Sequence, residues 1–330
     1  MDGTTRQAGG GHHGRQSVAI VVGSAGQDGT LLSAQLRQQG YAVVEVSRAG
    51  AKVMDGGTEP LELLDTAQVS ALVSQTKPAE IYYLAAYHHS SDQDPGDRVK
   101  LLQLSYQAHC QGFLAFLDAC VRHSPQTRLF YASSSLVYGY PEICPQDETT
   151  PMRPACAYGI TKLFGMGLCE LYRREHGLFC SAGILFNHES PLRQPRFVTK
   201  KISVAVAAIK RGSQSELQLG SLDAEVDWSS ASDFVRAMPL TLATDTPQDF
   251  VFSSGQRRSM REFCEVAFAT AGLDFRKYVK VSDDIISRQP RSVPLQGNPE
   301  KLKRLTGWEP RVGFEEMVSS LVRAELDQAS

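Results

Sequence analysis

The stretch VAIVVGSAGQDG, residues 18–29, decides the fold of this chain. Its first five residues are apolar and mostly β-branched, which predicts a buried strand, and an amphipathic helix is predicted from Thr30 to Gln39. The glycines have the spacing G-x-x-G-x-x-G, which permits a tight turn, close approach of the backbone to phosphate, and close packing of helix on strand. A helix N-terminus at this point offers free amides to an anion. The stretch therefore predicts a dinucleotide-binding turn rather than a merely tight turn, with cofactor contacts at Gly23, Gly26, Gln27, Asp28 and Gly29.

The end of the next predicted strand indicates which dinucleotide binds. The apolar run Ala42 to Val46 is followed by Ser47 and Arg48. An acidic residue at this place binds the ribose of NAD, whereas a hydroxyl and a guanidinium suit the 2′-phosphate of NADP. We therefore expect NADP(H), with Arg48 as a contact; the alternative is that Arg48 is an ordinary solvated charge.

Further along the chain, short apolar runs alternate with longer amphipathic stretches. The runs are Val18 to Val22, Ala42 to Val46, Ile81 to Leu84, Leu129 to Ala132 and Cys180 to Phe186. This rhythm is typical of α/β proteins and predicts a Rossmann-type, doubly wound parallel sheet with a smaller C-terminal substrate-binding region. We expect a disordered leader at 1–16, the NADP-binding domain at 17–186 with some later segments returning to it, and mainly the nucleotide-sugar substrate region at 187–330. The last region is predicted to contain loops from Asn187 to Arg196 and helices from Val198 to Arg211 and from Phe314 to Leu326.

Composition excludes several classes of function. The 330 residues carry 34 basic and 36 acidic side chains, so no global field recruits nucleic acid or an anionic membrane. No apolar stretch approaches the roughly 20 residues that span a bilayer, and the polar opening lacks the apolar centre of a signal peptide. We therefore expect a cytoplasmic protein. Its seven scattered cysteines are predicted to be reduced and mostly buried, and the acidic residues form no metal-ligand cluster.

A second motif points to catalysis. The predicted strand Leu129 to Ala132 runs into a serine-rich turn containing Ser134, and Tyr158 and Lys162 follow four residues apart. At that spacing, both side chains lie on one face of a helix, where the ammonium can lower the pKa of the phenol and also hold the cofactor ribose. The phenol can then exchange a proton with a sugar hydroxyl or carbonyl while a cofactor exchanges hydride. Ser134, Tyr158 and Lys162 are the predicted catalytic residues.

Several longer motifs carry a resemblance that runs from about Val18 to the C-terminus. They are the glycine turn itself, ILFNHESP at 184–191, FVTKKI at 197–202, GNPEKL at 297–302 and the pair Gly307 and Trp308. The chain resembles extended short-chain dehydrogenases/reductases, and within them the GDP-mannose 4,6-dehydratase family. The resemblance implies an NADP-dependent enzyme acting on a nucleotide-diphosphate sugar, GDP-linked in the family, and pairing of two long helices per subunit into a homodimer or homotetramer. The helices after Asp94 and from Tyr158 are the candidates for that pairing.

The same resemblance implies further contacts. Glu62 and Leu63 would lie near the adenine, Leu84 and Ala86 along the cofactor, and Leu185 and His188 near the nicotinamide. The substrate diphosphate would be contacted by Asn187, Val198, Lys201 and Arg288.

The departures from the family pattern are as informative as the matches. The family has a glutamate after the fourth strand that removes the C5 proton of the sugar and helps expel the C6 hydroxyl, and this chain has Leu136 there. Leucine cannot exchange protons. Val226 replaces an arginine, which removes a phosphate or inter-site contact. His88 is a candidate substrate contact or acid/base, although packing beside the cofactor is the favoured interpretation. Cys156 is a candidate near the substrate, although a packing role is favoured for it.

These observations favour one function over two alternatives. The complete Ser134, Tyr158 and Lys162 set without the elimination glutamate indicates NADPH-dependent reduction of the C4 keto group of a nucleotide-linked 4-keto-6-deoxy sugar. The first alternative is a 4,6-dehydratase in which His88, Glu189 or a water replaces the glutamate. The second is a non-catalytic regulator that binds NADP and a nucleotide sugar.

Overall fold

The central feature of the protein is an eight-stranded sheet. The computed structural model describes residues 16–52, 57–87, 97–282, 285 and 293–328, so of the predicted leader only Gln16 is described. In spatial order the strands are β11 (Asp249–Phe252), β7 (Cys180–Leu185), β6 (Arg128–Ala132), β5 (Glu80–Tyr83), β1 (Val18–Val22), β2 (Ala42–Ser47), β3 (Gly50–Lys52) and β4 (Thr58–Glu59). The first six are parallel, and β3 and β4 are antiparallel additions at the edge. The predicted Rossmann-type α/β fold is therefore confirmed.

Helices cover both faces of this sheet. In chain order the helices of the described residues are α1 (Gln27–Gln38), α2 (Thr66–Thr76), α3 (Arg98–Tyr106), α4 (Gly112–His123), α5 (Ala157–His176), α6 (Val198–Lys210), α7 (Ala231–Leu242), α8 (Met260–Thr270), α9 (Phe275–Tyr278), α10 (Glu300–Thr306) and α11 (Phe314–Asp327). Helices α1, α7 and α10 pack on one face of the sheet and α2, α4 and α5 on the other, with α3 against α5, whereas α6, α8, α9 and α11 pack in a separate core. Alternate residues of β1 pack into the apolar layers on the two faces of the sheet: Ile20 packs with Phe116 of α4, and Val21 packs with Phe234 of α7. Burial on both faces explains why the strand is an unbroken apolar run.

Two short helical segments differ from the others. A π-helix at Gln107–Gln111 joins α3 to α4, and a 3-10 turn at Ser135–Tyr138 follows β6. Helix α1 begins at Gln27, three residues before the predicted start, because Gly26 already occupies its N-cap position. Helix ends are the part of an element that periodicity defines least well, since the first turn needs no apolar residue.

The region after β7 forms a second, smaller core. Strands β8 (Asn187–Glu189), β10 (Glu225–Ser230) and β12 (Arg257–Ser259) form one sheet, and β9 (Leu217–Leu219) pairs with β13 (Val279–Val281). Trp228 packs against Phe263 and Phe314 inside this core. The prediction of loops throughout 187–196 is wrong at its start, because pairing with β10 makes 187–189 a strand.

The two cores are tied together by buried polar groups. Gln146, in the loop after the 3-10 turn, donates from its side-chain amide to Pro294 O at 3.1 Å and bridges to Gly297. Gly297 N in turn donates to Asp227 of β10 at 3.0 Å, and Ser254 N donates to the same carboxylate. Segments far apart in sequence therefore converge at the carboxyl edge of the sheet.

The described residues contain no helix long and apolar enough to cross a membrane, and no group of three or more His, Cys, Asp or Glu placed to hold a metal. All seven cysteines are free thiols, five of them buried.

Candidate active site

The glycine turn has the geometry that a dinucleotide requires. Gly23 has φ of +92°, and a Cβ there would lie 2.7 Å from Ala85 N, so only glycine fits. Its amide and that of Ser24 both donate to Val46 O, which fixes the turn against β2. Among the described residues, no side chain caps the N-terminus of α1. The first amides of α1 and its positive dipole end are therefore available to a diphosphate, and the turn fits a dinucleotide.

An ion pair joins this turn to β8. His188 Nε2 lies 2.9 Å from Asp28 Oδ2, and its Nδ1 lies 2.7 Å from Phe186 O. Both partners are acceptors, so both ring nitrogens carry protons and the imidazole is charged. Burial opposes the charge of His188, but Asp28 raises the pKa of His188 above its ordinary value. Burial also opposes the charge of Asp28, but His188 lowers the pKa of Asp28 below its ordinary value. Gln27 strengthens the link through His188 O and the Ser190 hydroxyl.

Tyr158 and Lys162 lie where the sequence predicts them, on the first turns of α5. Lys162 is only 1% exposed, and its Nζ donates to Ala132 O at 2.8 Å and lies 5.6 Å from the centre of the Tyr158 ring. Burial lowers the pKa of Lys162 to about 7. The pKa of Tyr158 is raised rather than lowered as the sequence predicts, because desolvation outweighs the opposing positive charge of Arg193. In this state the phenol carries its proton and is a proton donor.

The 3-10 turn packs on the start of α5. Ser134 caps the turn, its Oγ accepting from Leu136 N at 3.3 Å. Gly159, next to Tyr158, packs so closely on this turn that a Cβ would lie 2.5 Å from Leu136 O. Leu136 is therefore adjacent to the first turn of α5, and its side chain cannot exchange a proton.

The remaining predicted contacts are distributed along the carboxyl edge of the sheet. Arg48 is exposed just beyond β2, Glu62 and Leu63 precede α2, and Ala86 is exposed in the segment after β5. Leu84 and Leu185 pack into the core shared with Phe234, Asn187 begins β8, and Val198 and Lys201 lie in the first turn of α6. His88 and Arg288 lie outside the described residues.

The sequence analysis did not identify two arginines in the loop between β8 and α6 as candidate site residues. Arg193 and Arg196 lie over the Phe197 ring, with guanidinium carbons 3.6 and 5.4 Å from its centre. Arg193 also pairs with Glu189 at 3.1 Å. Burial and the positive charges of Arg193 and Arg48 lower the pKa of Arg196. Two arginines three residues apart, between a strand and a helix, were the available signal for this positively charged rim.

A Rossmann sheet with a glycine turn at its first strand and a Ser, Tyr and Lys set after its fourth parallel strand defines the extended short-chain dehydrogenases/reductases. Residues 20–321 match the sequence model of the family GDP-mannose 4,6 dehydratase. The chain is 34% identical to human GDP-mannose 4,6 dehydratase over 98% of its own length and 95% of that protein. It is 32% identical to GDP-mannose 4,6-dehydratase of Yersinia enterocolitica, over 94% of each chain. The chain belongs to the GDP-mannose 4,6-dehydratase family.

Solved structures have the same fold at lower identity. RMD from Pseudomonas aeruginosa complexed with NADPH has a TM-score of 0.80 at 20% identity, covering 95% of this chain and all of the other. dTDP-glucose 4,6-dehydratase from Bacillus anthracis in complex with NAD has a TM-score of 0.77 at 17% identity, covering 93% and 96%. Enzymes of the family to which the chain belongs use NADP(H), and the glycine turn fits that cofactor. Family membership makes the chain a nucleotide-sugar enzyme of the extended short-chain dehydrogenase/reductase class.

Proposed function

We propose that the protein reduces the C4 keto group of a nucleotide-diphosphate 4-keto-6-deoxy sugar, GDP-linked, with NADPH. One observation carries the proposal: Ser134, Tyr158 and Lys162 are all present, while Leu136 occupies the place of the glutamate that the resemblance assigns to elimination. Hydride transfer at C4 needs Ser134, Tyr158 and Lys162 but does not need the glutamate.

The protonation state of the site supports reduction. The partly buried Tyr158 holds its proton, since desolvation raises its pKa, and it donates that proton to the C4 oxygen as the carbonyl becomes an alcohol. Ser134 donates a hydrogen bond to the same oxygen, and Lys162 lies beneath the Tyr158 ring to balance the charge that the phenol leaves behind. When bound, NADPH supplies the hydride to C4. One hydride and one proton thus convert the ketone into an alcohol.

Leu136 supports the choice of a 6-deoxy sugar. Leu136 takes the place of the glutamate that, by the resemblance, acts at C5 and C6 of the sugar, so an apolar side chain would meet that end of the substrate. A methyl group at C6 loses no hydrogen bond against leucine, whereas a C6 hydroxyl placed there would lose its water without a replacement partner. The proposed substrate therefore arrives already dehydrated.

The positive rim supports a diphosphate-linked substrate. Lys201 in α6 and the arginines around Phe197 supply cationic donors on the substrate side of the crevice. Guanidinium groups bind phosphate oxygens through paired hydrogen bonds. We place the nucleotide diphosphate along this rim, with Asn187, Val198, Lys201 and Arg288 as its contacts.

An exposed apolar face supports assembly of the chain with a second copy. Val99 and Leu102 of α3 are 66% and 43% exposed, and Ile160 and Phe164 of α5 are 50% and 49% exposed. Tyr106 packs its ring edge against Phe164, which makes the face continuous between the two helices. Contiguous exposed apolar surface marks an interface. The protein is accordingly proposed to be a homodimer or homotetramer.

The test is a paired incubation followed by mass spectrometry. Purified protein receives either GDP-mannose with NADP, or the 4-keto-6-deoxy product of an authentic dehydratase with NADPH. Gain of two mass units by the keto-sugar, with no loss of water from GDP-mannose, is the expected result. Loss of water from GDP-mannose would replace this proposal by the dehydratase function.

The dehydratase function is the second candidate because relatives at 31–34% identity carry that name. It needs a substitute acid/base. Glu189 is a poor one, since it is 3% exposed, accepts from Thr199 at 2.6 Å and pairs with Arg193. A non-catalytic regulator is the third candidate, and tight nucleotide-sugar binding without turnover in the same incubations would favour it.

A further inference from the structure

The π-helix at Gln107–Gln111 places an unusual residue beneath the catalytic tyrosine. The wider turn is held by two buried tyrosines of the sheet: Tyr83 OH donates to Ala108 O at 2.7 Å, and Tyr131 OH donates to His109 O at 3.2 Å. Such interruptions of an α-helix are costly and occur frequently at functional sites. This one turns the His109 side chain inward, where it is fully buried.

Both ring nitrogens of His109 are engaged within the protein. Tyr87 N donates to Nε2 at 3.0 Å, so Nε2 carries no proton. Nδ1 must then hold the proton of the neutral ring, and it donates to Thr161 Oγ1 at 2.7 Å. The Thr161 hydroxyl in turn donates a hydrogen bond to the carbonyl oxygen of Ala157 or Tyr158. His109 is therefore a neutral imidazole of defined tautomer, with no nitrogen left to exchange a proton with a substrate.

The same ring contacts Tyr158 directly. The two rings meet edge to face, with centres 4.9 Å apart and planes at 81°. Tyr87 lies in the segment after β5, which includes the predicted cofactor contacts Leu84 and Ala86, whereas Thr161 lies one turn beyond Tyr158 on α5. One imidazole thus touches the phenol and links the cofactor side of the crevice to the catalytic helix.

We infer that His109 is a positioning residue: it orients the Tyr158 ring and holds the segment after β5 in register with it. The inference rests on the proposed function, in which Tyr158 is the proton donor. It goes beyond that function because it assigns the alignment of phenol and cofactor to a single buried side chain. Misplacing a reacting group by about 1 Å costs on the order of 10²-fold in rate.

Paired amide substitutions separate the two hydrogen bonds. In His109→Asn the side-chain amide takes the place of Nδ1 and the Tyr87 contact is lost, whereas in His109→Gln the amide takes the place of Nε2 and the Tyr87 contact is kept. Thr161→Val removes the partner of Nδ1 at nearly constant volume. His176→Asn is the matched control, since His176 also packs on a tyrosine of α5 but is exposed at the far end of that helix.

Two measurements are made on each variant. Hydrogen exchange of the Tyr87 amide, which needs no substrate, is expected to accelerate at least tenfold in His109→Asn and to stay slow in His109→Gln and His176→Asn. Steady-state reduction of the keto-sugar is expected to show kcat lowered by about 10- to 100-fold in His109→Asn and Thr161→Val, with KM changed by less than about threefold. His176→Asn should match the wild type.

The outcomes distinguish this inference from the proposed function. If the wild type reduces no keto-sugar, the proposed function fails, and the Tyr87 exchange rates still decide whether His109 holds that segment. Slow Tyr87 exchange in His109→Asn overturns the inference. Unchanged kcat in folded His109→Asn, or a loss shared equally between kcat and KM, also overturns it.

Discussion

The two sides of the proposed sugar site contain different chemical groups. The α5 side presents Tyr158 over Lys162, which burial holds at a pKa of about 7, and His109 packs beneath. The side formed by the 3-10 turn presents Leu136, which can neither accept nor donate a proton. Although the turn packs on α5 through Gly159, the sides are separate elements of the chain. The groups for hydride transfer and those for elimination can therefore be kept or lost independently.

The largest expected effect comes from breaking the α5 side. Tyr158→Phe removes the proton donor, and kcat for keto-sugar reduction should fall by about 10²- to 10⁴-fold, the usual contribution of a general acid. NADPH affinity should change little, as measured by quenching of its fluorescence. Tyr278→Phe, remote from the site in the second core, is the control. Reduction at a wild-type rate by Tyr158→Phe would show that the acid lies elsewhere.

The next effect comes from restoring the other side. Leu136→Glu returns an acid/base beside Tyr158, and dehydration of GDP-mannose should rise by about 10²-fold or more over the wild type, since a positioned carboxylate contributes that much to proton transfer. Mass spectrometry of the sugar measures it, and Leu136→Gln controls for polarity without proton exchange. If the Leu136→Glu protein folds and binds NADPH but gains no dehydration activity, the proposed difference between the two sides is wrong.

Lys162 on the α5 side makes the free energy of unfolding depend on pH, which the uncharged Leu136 on the other side cannot do. The pKa of Lys162 is about 7 in the folded protein, and its ordinary value is 10.5. Between these two pH values Lys162 binds a proton only in the unfolded chain. Its effect is therefore to raise the free energy of unfolding as the pH rises from 7 to 10.5. Below 7, the folded protein carries the full cost of a buried charge. Each pKa unit is about 1.4 kcal/mol, so the cost is a few kcal/mol.

Lys162→Met should therefore stabilise the ligand-free protein at about pH 6 and lose that advantage by about pH 10, as read from urea unfolding across that range. Lys301→Met is the control, because Lys301 Nζ also donates to a backbone carbonyl but is only partly buried. A difference between Lys162→Met and wild type that is constant with pH would contradict the assignment of a low pKa to Lys162.

The smallest expected effect sharpens the cofactor side. Arg48→Ala should weaken NADPH binding by about 10- to 100-fold and leave NADH binding unchanged, because a hydrogen bond to a charged group contributes about 1.5–3 kcal/mol. Titration of each cofactor measures the ratio. Arg37→Ala is the matched control, since Arg37 is an exposed arginine of α1 that pairs with Glu45 of β2, the strand that Arg48 follows. Equal losses for both cofactors would remove Arg48 from the 2′-phosphate site.

The local sequence pattern predicted much of the fold but few of the contacts between residues that are far apart in sequence. The run Val18 to Val22 is a strand at the predicted bounds because both of its faces are buried. The three-residue strand β8 escaped prediction because only its pairing with β10 makes it a strand. His109 escaped for a related reason: its partners Tyr87 and Thr161 lie 22 and 52 residues away, and nothing near it in sequence signals them. Asp28 was predicted as a cofactor contact, but its pairing with His188, 160 residues on, was not visible in the sequence.

The buried link from Gln146 through Gly297 to Asp227 limits how this protein can be recombined with its relatives. An exchange of substrate regions at residue 187 leaves Gln146 in one parent and its partners Pro294 and Gly297 in the other, whereas Asp227 stays with Gly297. The buried side-chain amide of Gln146 must therefore find matching partners across the junction, and without them it is a polar group that lacks its hydrogen bond, at a cost of about 1–3 kcal/mol. Chimeras that carry 139–150 together with the C-terminal half should therefore express and fold better than those cut at the apparent boundary between the two cores.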